Sequence, residues 1–194
     1  MLDIPVHLCY SIRHKGDTMD YTLKGIKTFR GTDGDGLNAT LYRDGVKVAF
    51  ILDDGNGGDM HLQWFDQQAT RMTIPWVDYQ GKPCTIRCTP EEAKLYEFLR
   101  GKTYTFGKEF GKPDQTIQTD PDDFVAELAE KTLNDNRFQK MCKTKVLFRL
   151  KTDKEGEWRT FKSPFTKNIK DWIVTKFGDQ VDSIMNETLG QVAQ

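Results

Sequence analysis

No apolar run in this 194-residue chain approaches the roughly 20 residues that cross a bilayer, and the N-terminus has no basic stretch followed by a long apolar segment and a cleavage site. The expectation is a cytoplasmic protein with no membrane partner. Cysteine is scarce: Cys9, Cys84, Cys88 and Cys142 are irregularly spaced, which suits free thiols in a reducing compartment better than a disulfide scaffold. Cys84 and Cys88 lie four apart in a strand-like segment, about 13 Å from each other by strand rise, too far to share one zinc. Charge of one sign is also lacking, and a net charge of -1 excludes a globally basic protein.

Common chemical signatures are missing too. There is no Gly-x-Ser-x-Gly, no Walker A loop and no dinucleotide fingerprint. The run from Gly31 to Gly36, GTDGDG, follows a strand-like segment but opens onto another strand, so it lacks the positive helix terminus that would hold a phosphate. No internal repeat or low-complexity tract interrupts the chain. Twelve Phe and four Trp supply enough apolar material for a core and argue against disorder.

The best-determined local structure runs from Gly31 to Asp59. Asp44-Gly45 between two β-forming runs predicts a two-residue type I′ hairpin. Uninterrupted pairing from that turn sets Arg43 opposite Val46, Leu41 opposite Val48, Ala39 opposite Phe50 and Leu37 opposite Leu52. One face then carries Leu37, Ala39, Leu41, Val46, Val48, Phe50 and Leu52. The loops flanking this hairpin emerge together at the end away from the turn, which gathers Asp33, Asp35, Asp53, Asp54, Asn56 and Asp59 into an acidic corner.

Around the hairpin the alternation predicts strands at Ile4 to Ile12, Tyr21 to Leu23, Lys24 to Arg30, Met60 to Phe65, Met72 to Val77 and Thr85 to Cys88, an antiparallel meander in outline. Thr89-Pro90-Glu91-Glu92 is a capping-box start for a helix to Arg100, with Ala93, Tyr96 and Leu99 inward and Gly101 as its stop. A second helix begins at Asp120-Pro121 and is expected to break at Asn134-Asp135-Asn136, with a short helix from Arg137 to Lys143 beyond. Val146 to Leu150 and Trp158 to Phe161 form a second hairpin. Helices follow over Lys167 to Phe177 and Val181 to Leu189. The fold class is α+β, a mainly antiparallel sheet built around the central Asp-Gly hairpin, with about four helices mostly in the C-terminal half. The expected organisation is a β-rich lobe with one helix over residues 1–101 and a helix-hairpin-helix lobe over 102–194, or one continuous domain.

Two site candidates emerge. The corner carboxylates Asp33, Asp35, Asp53, Asp54 and Asp59 are the residue types that bind calcium or magnesium, although no cofactor is required and Asp, Asn and Gly are also what tight turns need. Leu37 and the lack of a closing glutamate depart from the EF-hand pattern. The second candidate is a basic ribbon of Lys143, Lys145, Arg149, Lys151, Arg159 and Lys162. It lies in a segment, Lys140 to Gln194, with 11 basic and 7 acidic residues, an asymmetry that points to an anionic partner.

His7-Leu8-Cys9 and His61-Leu62-Gln63 resemble the paired His-x-Ser/Thr elements of the 2H phosphoesterases, with Cys9 and Gln63 where those elements carry a hydroxyl. That resemblance implies one imidazole taking a proton and the other giving one. The leading expectation is a small non-enzymatic binding or modulator protein, of inhibitor or adaptor type, engaging a macromolecule through charged surfaces, a protein rather than a nucleic acid. The alternative is a metal-dependent or histidine-based enzyme acting on a phosphodiester.

Overall fold

A computed structural model describes residues 19–106, 115–154, 156–191 and 193. The expected strand over Ile4 to Ile12 and the residues His7 and Cys9 lie outside these. The protein is α+β with antiparallel sheets, and among the described residues it has four α-helices, none long and apolar enough to cross a membrane. The chain divides into two compact units, whose described residues run from 19 to 130 and from 131 to 193.

Among the described residues the N-terminal unit opens with a four-stranded antiparallel meander, β1 (Tyr21–Arg30), β2 (Asp35–Arg43), β3 (Val46–Asp53) and β4 (His61–Trp64). Arg43 pairs with Val46 across Asp44 (φ 51°) and Gly45 (φ 80°), the two left-handed residues that a type I′ turn requires. Beyond the turn the register departs from uninterrupted pairing. Tyr42 pairs with Lys47 but Leu41 pairs with Ala49, so Val48 is an extra residue on β3. A bulge of this kind exchanges the faces of everything after it. The strand therefore buries Ala49 and Ile51 completely, and Phe50 and Leu52 are only half-buried. A second bulge interrupts β1 between Lys24 and Lys27, where Gly25 has φ 68°, so the two short strands expected there are one bent strand.

β5 (Met72–Val77) and β6 (Pro83–Cys88) form a separate hairpin. Its turn is fastened by the Asp78 carboxylate, which accepts from the Gln80 and Lys82 amides. α1 (Pro90–Leu99) starts with a complete capping box, in which Thr89 and Glu92 each accept from the other's backbone amide. Its fully buried residues are Leu95 and Leu99, with Tyr96 half-buried against Trp76 (ring centroids 4.8 Å apart). The other end of α1 is closed by Gln118 of β8 (Gln115–Gln118), whose side-chain amide donates to the Leu99 carbonyl and whose Oε1 accepts from the Gly101 amide. β8 pairs with β7 (Thr103–Phe106). Arg43 joins the end of β2 to the start of α1 through Glu91 at 3.0 Å. Burial would raise the Glu91 carboxyl, but hydrogen bonds from Arg43 and Lys94 outweigh it and hold the group below the usual range.

α2 (Pro121–Cys142) is one helix, capped by the Asp120 carboxylate on the Asp123 amide. The expected break at Asn134-Asp135-Asn136 does not occur. Helix propensity is a weak prior, and burial of Phe138 and Cys142 beyond the polar triplet holds the helix together. The division between units falls within this helix, with residues 121–130 in the first and 131–142 in the second.

Among the described residues the C-terminal unit is a three-stranded antiparallel sheet in the order β10 (Arg159–Phe161), β9 (Val146–Leu150), β11 (Val181–Ile184), with α3 (Lys167–Phe177) and the short α4 (Met185–Thr188). The helix expected over Val181 to Leu189 is thus a strand followed by a single turn. Val181, Ser183 and Ile184 pair with Leu150, Arg149 and Phe148, and the sheet supplies hydrogen bonds that a short isolated helix could not. As the middle strand, β9 is covered on both faces. Val146, Phe148 and Leu150 pack with Phe165, Ile173 and Ile184 on one side, and Leu147 packs with Phe138, Cys142 and Met185 on the other. A wholly buried Asn186 fastens this second side. Its Oδ1 accepts from the Leu147 amide, and its Nδ2 donates to the Cys142 and Lys145 carbonyls and to Gln191.

Candidate functional site

The hairpin brings its flanking loops together, as the backbone bonds across them show. The Asp33 amide donates to the Gly55 carbonyl (3.0 Å) and the Thr32 amide to Asn56 Oδ1 (3.2 Å). The contact is so close that a Cβ on Gly31 would stand 2.5 Å from the Gly55 carbonyl oxygen. The acidic side chains mostly serve these loops. Asp53 Oδ1 accepts from the Gly55 amide and Asp54 Oδ1 from the Asn56 amide, both 2.9 Å, while Asp35 meets Arg30 at 3.0 Å. These are side chain to backbone turns of the type that Asp and Asn form two residues ahead.

Asp59 acts instead on the start of α2. There the Asp122 carboxyl is pushed up to about 6, first by withdrawal from solvent and then by Asp120, Asp59 and Asp123, with His61 opposing. Asp123 is raised as well, for the same leading reason and by Asp120. Among the described residues no group of three or more His, Cys, Asp or Glu side chains is placed to hold a metal ion. His61 stands on β4 opposite Leu52, whereas His7, its partner in the paired-histidine reading, is outside the described residues. Cys84, Cys88 and Cys142 are free thiols.

The six cations of the ribbon do not share one face. Residues paired across an antiparallel ladder project to the same side, so Arg159, opposite Phe148, lies on the α3 side of the sheet. Arg149, one residue along β9, lies on the other side with Leu147. That second face is closed at its middle, where Leu147 is buried against the last turns of α2. Neither arginine is unpaired. Arg149 binds Asp182 through Nε at 2.8 Å, and Arg159 binds Asp153 through Nε at 2.8 Å and Nη2 at 2.7 Å. Each guanidinium holds its carboxyl below the usual carboxylate range. Lys143, Lys151 and Lys162 are exposed, and Lys145 is half-buried.

One feature of this unit is not visible in the ribbon pattern. Trp172 and Phe161 are 42% and 37% exposed, and their ring centroids are 5.4 Å apart. Ile169, Ile173 and Phe177 recur at four-residue spacing and mark the inner stripe of α3. Trp172 falls beside that stripe, and this offset is the signal in the sequence that would have found it.

These features define an α+β protein with antiparallel sheets, an interlocked acidic glycine corner and a basic C-terminal unit. Comparison of the chain with family models, with curated proteins and with solved structures finds no match in any of the three.

Proposed function

We propose that this chain is a non-enzymatic binding protein, of inhibitor or adaptor type, which engages a protein partner through the charged surface of its C-terminal unit. The observation that carries this reading is the separation of charge along the chain. Residues 131–194 hold 13 basic against 8 acidic side chains, while residues 12–130 hold 15 against 20. With Arg149 and Arg159 ion-paired, the surplus positive charge of the C-terminal unit rests on exposed lysines, including Lys143, Lys151 and Lys162. Scattered lysines suit a protein rim better than the continuous cationic track that follows a phosphate backbone.

The test is capture of partners by the immobilised chain, with and without nuclease and over a salt series. Capture should survive nuclease and fall about tenfold in Lys143→Glu/Lys151→Glu/Lys162→Glu. Loss on nuclease treatment would replace the protein partner with a nucleic acid. Metal-dependent hydrolysis of a phosphodiester, abolished by Asp53→Asn/Asp54→Asn, would replace binding with catalysis.

A further inference from the structure

Resting on the reading of the chain as a protein-binding protein, we propose that the partner docks on an aromatic ledge formed by Phe161, Trp172 and Phe177 with Lys162 and Lys176. Its occupant is an acidic polypeptide segment that carries an aromatic anchor. The rings make a continuous run from β10 to the end of α3, with Phe161 to Trp172 at 5.4 Å and Trp172 to Phe177 at 6.1 Å and 88°. Cations sit against these rings. The Lys176 ammonium is 4.6 Å from the Trp172 centroid and 5.4 Å from that of Phe177, and the Arg159 guanidinium is 6.0 Å from Phe177. Exposed Lys162 follows Phe161 directly.

Two facts about this surface select its occupant. Exposed Trp and Phe rimmed by basic side chains are the composition of a protein-binding hot spot, where aromatic and guanidinium groups supply most of the energy and the rim excludes water. A ring inserted beside Trp172 and Phe161 would stack or meet them edge-on, and a neighbouring carboxylate would find Lys176 or Lys162. A nucleic acid strand suits the surface less well. Arg159 and Lys170 already bind Asp153 and Glu187, and exposed Asp171 and Asp179 flank Trp172 and Phe177, so a run of phosphates would meet carboxylates along its path. A peptide can avoid those positions because its charge is not repeated at every residue.

The experiment selects binders to the full chain from a displayed library of random peptides and measures the enriched peptides by fluorescence anisotropy, beside oligo(dT) and the chain itself in sedimentation. Enriched sequences should combine Asp or Glu with a Trp, Phe or Tyr. Their binding should weaken about tenfold or more in Trp172→Ala and, separately, in Lys176→Glu. Both side chains are exposed, and unchanged circular dichroism spectra establish that the variants fold. The proposal is overturned by enriched peptides without acidic and aromatic residues, by indifference to both substitutions, by tighter binding of oligo(dT), or by self-association that Trp172→Ala abolishes. If partner capture depends on Lys143 and Lys151 while Trp172→Ala leaves it intact, the ledge fails and the protein-binding reading stands.

Discussion

Replacing Asn186 with alanine should be the most damaging polar substitution in the C-terminal unit. The side chain is fully buried and satisfies the Leu147 amide, the Cys142 and Lys145 carbonyls and Gln191. Asn186→Ala leaves a buried donor and at least one buried acceptor unpaired, each costing about 1–3 kcal/mol. With a small cavity added, the expected loss is about 3–5 kcal/mol. Asn186→Asp retains an acceptor for Leu147 but turns a second oxygen towards two carbonyls, so it should cost at least as much at neutral pH. Urea unfolding followed by tryptophan fluorescence measures the loss, because Trp158 packs on Phe138 in the same unit. Amide exchange at Leu147 locates it. A change below about 1 kcal/mol together with unaltered Leu147 exchange would mean that Asn186 does not hold the Leu147 amide.

Three further outcomes follow from the N-terminal unit. The bulge at Val48 predicts that Ile51→Ala costs about 2–5 kcal/mol and Leu52→Ala less than half as much; the reverse order in denaturation midpoints would mean that the register has no bulge. Gly31→Ala should destabilise by about 1–3 kcal/mol because its Cβ would overlap the Gly55 and Asp54 carbonyl oxygens, whereas Gly58→Ala, with nothing within 4 Å, should stay within about 0.5 kcal/mol. Asp122 carries a folded-state pKa of about 6 against an ordinary 3.8, so the folded protein binds the proton more tightly and this group's contribution is lost as pH rises through about 6. Asp122→Asn should therefore raise stability at pH 7 by about 1 kcal/mol, discounted because the residue is only partly withdrawn from solvent. That gain should disappear below about pH 4 in thermal melts.

Local signals in the sequence stop where several arrangements of apolar residues satisfy one pattern. Thr89-Pro90-Glu91-Glu92 allows one reading, because each residue has a separate task at a helix start, and α1 begins there. Val48 to Leu52 allows two, since Val, Ala, Phe, Ile and Leu are all apolar and a bulge demands no particular residue at that point. Val181 to Ile184 is too short for periodicity to separate strand from helix, and β9 decides it. The same limit applies to the sites. The closeness of the two acidic loops is a consequence of hairpin geometry and was legible, but their attachment through Asp53, Asp54 and Asn56 depends on the backbone around them. The ribbon is a pattern of charge along the chain, and it shows neither the covering of Leu147 by α2 nor the partners of Arg149 and Arg159.

The position of β9 also has a meaning for the order in which the chain is made. On the ribosome this strand emerges after α2 but ahead of both neighbours, β10 and β11, and all of α3 is synthesised before β11 can pair with it. Until then Val146, Leu147, Phe148 and Leu150 form an apolar segment with at least one open edge, the state in which strands are prone to join other chains. Lys143 and Lys145 on one side and Lys151 on the other flank that segment, and flanking charges of this kind discourage such association. Some of the lysines that colour the finished surface would thus act as gatekeepers during synthesis, protecting the middle strand until its last partner arrives.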